Sequence, residues 1–522
     1  MKKYLIIALA ALGFAACEKT AEEGNVQQNG ELEQSYVAIT LASDDMNTRA
    51  DDGKYEEGLA EEREVKSAYV FFFKDGAPFM VAFDGTTSTN VGPNNYLKVN
   101  LNTVDTDMPN VSDVKDQVLV LQNYKGEYPN QMLAILNWTP EKASYTLSEL
   151  QTKVASAVNN ANGFVMSNSD YANSKKQAID AVPLTVENIA KNAADAEANP
   201  VTIHVERVAA KVVYTAKNDG KFMIGKNVNN TEIYAQIESF ELYNDYEESR
   251  LLKKIDPTWD GIGFAWNDAD WFRSYWATSL GTAFPENTFN WDDDNTKLNE
   301  WNYLGEHTRE GEANRTKVII KAKLVNAAGE AQEIVNWYGK DYIGEDNLKV
   351  VVANTLKSLY FYKDGDTFKG LAPADLKCVA RNSIDENAFE VYFQLNTTED
   401  GVGVNRDGWY KYEDSKYSTI SVDALNTALA AVQPALVYND GMTYYWLDIK
   451  HLGNTGSTAE YGIVRNHVYK VNITDIKGFG TPIYDPYQDF NTPEKPKDIE
   501  TYVAAQINIL SWRVVEGNYN VQ

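Results

Sequence analysis

The chain has 522 residues, a formal net charge of −27, and 43% hydrophobic and 12% aromatic residues. That length exceeds what one hydrophobic core usually serves, and the apolar and aromatic content excludes a disordered chain. So acidic a chain carries no basic footprint, and no nucleic-acid partner is expected.

Met1-Lys2-Lys3 forms a positive n-region, and Tyr4 to Ala16 is an apolar run too short to span a bilayer. Residues 1–16 therefore read as a lipoprotein signal peptide, with Ala15-Ala16 set directly before Cys17. Cys17 is the expected lipidation site (a diacylglyceryl, palmitate-bearing cysteine), and a lipoprotein signal peptidase is the implied processing partner. Residues 17–49 read as a lipidated propeptide, polar at first. Within it Val37, Ile39 and Leu41 alternate with small or polar residues, the period of a half-buried strand. Arg49, followed by Ala50, is a lone arginine in a polar, acidic stretch that suits a trypsin-like, Arg-specific protease. Cleavage there would remove the Val37/Ile39/Leu41 strand together with the anchor.

Beyond Ala50 the pattern is mostly strands. Val65–Phe73, a Lys74-Asp75-Gly76 turn and Phe79–Phe83 form an expected hairpin. Tyr96–Leu101, Gln117–Leu121 and Gln131–Asn137 continue the series. Thr146-Leu147-Ser148-Glu149 has capping-box form and precedes Leu150, Val154 and Val158 at helical spacing. Val201–Val205 alternates, and its apolar phase shifts by one at Val208, which predicts a bulge or a bend. A turn-rich zone over 218–230 sets an expected boundary between domains at 50–220 and 221–522. In the second half Glu232–Tyr243, Lys317–Leu324, Ile334–Tyr338, Phe389–Leu395, Thr443–Ile449 and His467–Ile476 read as strands. Glu345–Thr355 and Val422–Val432 read as helices. The expected fold class is all-β dominated: two tandem β-sandwich domains of transthyretin-like or Greek-key type, with a few peripheral helices.

Catalytic constellations are scarce. His204, His307, His451 and His467 lack metal-ligand spacing, and neither HExxH, CxxC nor Gly-x-Ser-x-Gly occurs. Cys378, left alone once Cys17 is lipidated, reads as a buried structural thiol. Gly401–Arg406 lacks the lysine of a phosphate loop. The acidic pairs around Asp268 and Asp292 lack the glycine and distal glutamate of a calcium loop. Trp271–Trp276 could stack on sugars, but aromatics at alternate strand positions are more often core. No enzyme, no catalytic residue, no metal and no cofactor is expected.

The C-terminus is long and strand-like. Its apolar phase runs through Val503, Ile507 and Ile509, then switches to Leu510, Trp512 and Val514. Two strand segments facing different ways would give this pattern. It reads either as a last strand packed in its own domain or, as a donor strand within 503–522, as one that reaches into a neighbouring molecule.

Tyr461–Ile473, closing in Gly478-Phe479-Gly480-Thr481-Pro482, resembles the C-terminal signature of Bacteroidota fimbrillins, the shaft subunits of type V pili. The nearest likeness is to the major subunit of short (minor) fimbriae. Gly441–Trp446 leading to His451, Phe164–Ser169, Val205–Lys211 and Trp512 also resemble family segments, and Glu18, Glu22 and Glu23 resemble a surface-export signal. The resemblance implies a structural fimbrial subunit and not an enzyme. A precursor is lipid-anchored at the outer membrane, and its mature form is secreted into extracellular fimbriae that support adhesion and biofilm formation. An Arg-specific protease cuts after Arg49, and the vacated groove takes the donor strand of another copy, here Ile507, Ile509, Leu510, Trp512 and Val514. The implied partners are other copies in a head-to-tail filament, minor anchor and tip fimbrial subunits, and host-surface or bacterial ligands. The alternatives are an anchor or tip subunit of the same fimbria and a monomeric, lipid-anchored glycan-binding lipoprotein.

Overall fold

The computed structural model describes residues 31–42, 55–56, 58–81, 92–99, 117–158, 162–171, 173, 177–254, 280, 289–292, 296–307, 312–380, 390–397, 406–451, 461–490 and 502–512. Within them the fold is strand-dominated with a few short helices, as the sequence leads one to expect.

The first half builds one nine-stranded sheet. Its main path runs Ala77–Pro78, Ala68–Lys74, Gln131–Leu136, Met166–Asn168, Val201–Arg207, Leu32–Ala42 and Gln117–Tyr124. Ala68–Lys74 is apolar nearly throughout because both of its faces are covered. Val70 and Phe72 enter one core with Val37, Ile39, Leu119 and Ile203. Phe71 and Phe73 enter a second core with Leu133, Tyr145 and Leu150. At the far end the Gln122 N–H donates to the Val81 carbonyl at 3.0 Å, so the sheet curls back towards its first strands. The expected hairpin is present, with Asp75 and Gly76 both at positive φ, though its second strand is only Ala77–Pro78.

One expected helix is shorter than its sequence pattern. Thr146 Oγ1 accepts the Glu149 N–H at 3.1 Å and the Glu149 carboxylate accepts the Thr146 N–H at 2.7 Å, so the capping box forms. The helix nevertheless stops at Thr152. Val154–Ser156 is a strand paired with Glu248–Arg250, and the Lys153 carbonyl accepts the Leu251 N–H at 2.8 Å. A tertiary ladder overrides the helical spacing of Val154 and Val158.

The phase shift at Val208 is where the chain changes sheets. Val201–Arg207 lies in the first sheet, and Ala209–Ala216 lies in a second one ordered Trp301–Gly305, Ala209–Ala216, His467–Lys477, Tyr502–Trp512 and Tyr55–Glu56. A third sheet runs Lys221–Lys226, Glu232–Tyr243, Lys317–Val325, Met442–Asp448 and Thr481–Pro482. Val212, Tyr214, Tyr469 and Val471 of the second sheet share one core with Phe240, Ile320 and Tyr445 of the third, so these two sheets form a sandwich.

The Lys317–Val325 and Met442–Asp448 strands are ladder neighbours, with Lys317 opposite Asp448. The chain between them makes two further sheets and the helices Glu345–Leu356 and Val422–Ala430 around a separate core that includes Leu348, Val352, Phe393 and Leu425. Sequence periodicity places both helices and the strands at Ile334–Trp337 and Glu390–Leu395, but not the other strands, and does not mark them as an insertion.

Buried charges tie the first sheet to the sandwich. Arg465 is fully buried, with Nε 2.5 Å from Glu306 Oε1 and Nη2 donating to the Arg250 carbonyl at 2.6 Å. Its Nη1 reaches Ser167 Oγ of the first sheet at 3.3 Å. Asn466 Oδ1 accepts the Arg207 N–H at 3.3 Å. Removing one partner of a buried pair strands the other, so Arg465→Ala is expected to cost about 3–5 kcal/mol. A lowered urea midpoint would register that loss; an unchanged midpoint would contradict it.

Candidate functional site: a strand-filled groove

Leu32–Ala42 occupies an unusual place. It pairs antiparallel with Gln117–Tyr124 from Leu32 to Ile39, and parallel with Val201–Arg207 from Ile39 to Ala42. Among the described residues, the Gln117–Tyr124 strand has no other ladder partner, so the two flanking strands are joined only through this one. Lifting it out would leave a slot with an unsatisfied strand edge on each side.

The slot is lined as its sequence requires. Val37, Ile39 and Leu41 are at most 1% exposed, and burial at about 1.5–3 kcal/mol per side chain gives roughly 5–9 kcal/mol gross for the three. Tyr36 exchanges two backbone hydrogen bonds with Ala190, each 2.9 Å, which completes its pairing on the side that Val201–Arg207 does not reach. Polar groups fix the register near the strand's start. Ser35 Oγ donates to Asn123 Oδ1 at 2.9 Å, and Glu33 accepts from the Tyr128 hydroxyl at 2.8 Å and the Gly126 N–H at 3.2 Å. Slight burial pushes the Glu33 carboxyl up, but hydrogen bonds from Tyr128, Gly126 and Asn123 outweigh it and hold the group below its ordinary value.

Downstream of the linker at 43–54, the chain is pinned again. Glu62, in the short Ala60–Arg63 helix, accepts from the Lys211 ammonium at 2.7 Å and the Tyr303 hydroxyl at 2.5 Å, and its own carbonyl accepts from Arg207 Nε at 2.8 Å. Burial raises the Glu62 carboxyl, yet Lys211 and Tyr303 hold it below its ordinary range. The linker thus runs between two firmly held elements. No periodicity marks Glu62 or Ala190; only the folded chain brings them to these partners.

At the other terminus Tyr502–Trp512 is one unbroken strand of 11 residues, not two segments facing different ways. It pairs antiparallel with His467–Lys477, where the register slips between Ile473 and Asp475. The irregularity thus lies in the partner strand. Ile507, Ile509 and Leu510 stand opposite Val471, Tyr469 and Val468, and Trp512 stands opposite Glu56. Its outer edge is paired only at Ser511–Trp512, by Tyr55–Glu56, among the described residues. Cys17, Arg49, Ala50 and Val514 lie outside the described residues, as do Trp271–Trp276 and Asp268.

The histidines have structural partners. His204 Nδ1 is 2.8 Å from Asp170 Oδ1, His451 Nδ1 is 2.9 Å from the Tyr469 hydroxyl, and His307 Nε2 is 2.5 Å from Thr316 Oγ1. Burial pushes the imidazole of His467 down to about 4. Cys378 is buried, and desolvation drives its thiol far above the ordinary range, as suits an inert structural cysteine. Among the described residues no group of three or more His, Cys, Asp or Glu could hold a metal ion.

The segments singled out by resemblance meet in space. Phe164–Ser169, Val205–Lys211 and Tyr461–Ile473 converge on the Arg465 clasp through Ser167, Arg207 and Asn466. Thr443 Oγ1 is 2.6 Å from the Phe479 carbonyl and 2.9 Å from that of Thr481. A Cβ at Gly480, where φ is +78°, would stand 2.4 Å from Thr443 Oγ1 and 2.8 Å from the Tyr444 carbonyl. The Gly478–Pro482 turn is therefore fitted to Gly441–Trp446.

One comparison bears on the C-terminal part of this strand-built fold. Residues 436–518 match the family model described as major fimbrial subunit protein type IV, fimbrillin, C-terminal. The chain carries a fimbrillin C-terminal region, which takes in both Met442–Asp448 and His467–Lys477 and ends beyond Trp512. No curated protein matches the chain in sequence. Among solved structures it is similar to a fimbrilin (fimA) from Porphyromonas gingivalis W83, at 12% identity, 92% of this chain and 98% of that one, with a TM-score of 0.38. It is also similar to the tip fimbrial protein Mfa3 from Porphyromonas gingivalis, at 12% identity, 92% and 100% coverage and a TM-score of 0.29. A fimbrial assembly protein from Parabacteroides distasonis ATCC 8503 is 12% identical over 70% of this chain and 97% of that one, with a TM-score of 0.26. Likenesses so distant carry no argument; what the comparisons show is the fimbrillin C-terminal match over residues 436–518.

Two outcomes follow from the slot. Ile39→Ala is expected to cost about 2–5 kcal/mol of stability, read as a lower denaturation midpoint. Because the Glu33 carboxyl is depressed in the folded chain, its stabilisation is present above the ordinary value of 4.5 and is lost as pH falls through the lowered one. Hydrogen exchange at the Leu32–Ala42 amides should therefore quicken in acid relative to neutral, after correction for intrinsic rates, and Glu33→Gln should flatten that dependence.

Proposed function

We propose that this chain is the structural shaft subunit of a surface fimbria, polymerising by protease-triggered donor-strand exchange and supporting adhesion and biofilm formation. One observation carries the reading: among the described residues Leu32–Ala42 is the sole ladder connection between Gln117–Tyr124 and Val201–Arg207, and residues 43–54, which include Arg49, separate it in sequence from the next described element. In this reading the precursor is lipidated at Cys17 after signal-peptidase processing and reaches the outer membrane. An Arg-specific protease cuts between Arg49 and Ala50. The Glu62 contacts keep the body of the chain in place while Leu32–Ala42 departs with the anchor.

The vacated slot then accepts the C-terminal strand of another copy, drawn from Ile507, Ile509, Leu510, Trp512 and Val514. Slot and donor agree in length, since both strands span 11 residues. They also agree in pattern, for Val503, Ala505, Ile507 and Ile509 repeat the period of two seen at Val37, Ile39 and Leu41. Among the described residues Tyr502–Trp512 is paired on its outer side only at Ser511–Trp512, so its release breaks the ladder with His467–Lys477 and a two-residue one with Tyr55–Glu56, and withdraws Val503 and Ala505 from the sandwich core. A head-to-tail contact of this kind does not close on itself and gives a filament. Minor anchor and tip subunits would end it. The domain limits 50–220 and 221–522 belong to the same proposal. A monomeric, anchored glycan-binding lipoprotein is the other reading, and it leaves Arg49 uncut.

Limited trypsin treatment of a precursor lacking Cys17, followed by mass spectrometry and unboiled gel electrophoresis, tests this. The expected result is cleavage after Arg49 and a heat-sensitive ladder that disappears when Leu510–Gln522 is deleted. Cleavage at Arg49 that yields only monomers would count against strand exchange.

A further inference from the structure

Away from both strands, a recess of about 380 Å³ opens between the Leu147–Thr152 helix, the stretch around Asp180 and the residues that follow Glu248–Arg250. Among the described residues, Arg250, Lys253 and Lys254 line it together with one carboxylate, Asp180. On a chain of net charge −27 this is a local reversal of sign. The recess is also within the size range of small-molecule sites, about 300–1,000 Å³, and too roomy for a bare inorganic anion.

Its floor is fixed. Buried Lys253 has Nζ 3.9 Å from Glu306 Oε2 and 5.5 Å from the centroid of the Tyr171 ring. Tyr171 donates to Glu206, and Arg465 lies 3.9 Å from Glu206 and 2.5 Å from Glu306. Two cations thus face two carboxylates there, and burial pushes the Glu206 carboxyl upward in spite of Lys253 and Arg465, which leaves the floor no more negative than neutral.

The rim adds Arg250 and exposed Lys254 against Asp180. Arg250 is placed by its backbone, which pairs with Val154 and accepts from Arg465 Nη2 at 2.6 Å. Ser148, Gln151 and Thr152 add neutral hydroxyl and amide groups on the opposite wall. We propose that this recess binds an acidic sugar of monosaccharide size, with its anionic group at Arg250 and Lys254 and its ring hydroxyls at Gln151 and its neighbours. A guanidinium takes a carboxylate or a phosphate through the same paired donors, so the sugar's anion is one of these two groups. The proposal is independent of strand exchange, since no group named belongs to Leu32–Ala42.

Isothermal titration calorimetry on the uncleaved full chain tests it with three probes: glucuronate, glucose 6-phosphate and neutral glucose. Saturable binding of either anion, weakened by salt and absent with glucose, is the expected result, and the anion that binds identifies the group recognised. Lys254→Glu and Gln151→Ala, at exposed or half-buried positions, should each weaken binding about tenfold or more with an unchanged melting temperature, the scale of one charged hydrogen bond. The proposal fails if neither anion saturates, if glucose binds equally well, or if both variants bind like the parent.

Discussion

The structure depends on one topological constraint: a strand near the N-terminus holds together two strands that, among the described residues, do not otherwise pair. Leu32–Ala42 satisfies Gln117–Tyr124 along one edge and Val201–Arg207 along the other, and it places Val37, Ile39 and Leu41 in the core they share. Backbone groups cut off from water must find partners, and here this strand supplies them. The first sheet is complete only while some strand sits in that slot.

Other contacts hold the chain beyond that strand. Lys211, Tyr303 and Arg207 hold Glu62 just beyond the linker, and the Arg465 clasp binds the first sheet to the sandwich. These contacts lie away from the slot. Ion pairs so deeply buried contribute less to net stability than to fixing one arrangement of the groups around them. Here they join the first sheet to the sandwich through Ser167, Arg207 and Asn466.

The C-terminal strand presents the complementary situation. It completes the second sheet through His467–Lys477, yet most of its outer edge is without a neighbouring strand among the described residues. Edge strands of this length are usually blunted by charge, proline or a bulge, and here the register slip lies in the partner strand. The match of residues 436–518 to the fimbrillin C-terminal family takes in this strand together with the ladder that carries it.

Much of this was legible beforehand, and the reason is local. Alternation in Val37-Ala38-Ile39-Thr40-Leu41 and in Glu232–Tyr243 follows from the two-residue period of a strand with one buried face, and the Thr146–Glu149 box follows from unpaired amides at a helix start. Even the bend at Val208 was written in a change of apolar phase. What sequence left undecided was pairing. Nothing local tells Ile39 that its partners are Gln117 and Val201, or tells Lys317–Val325 that its neighbour begins at Met442 after a whole inserted core. The helix expected through Val158 ended at Thr152 for the same reason, because Glu248–Arg250 claimed the next residues. Periodicity records which face of an element is buried; which element buries it is set by long-range contacts, and those exist only in the folded chain.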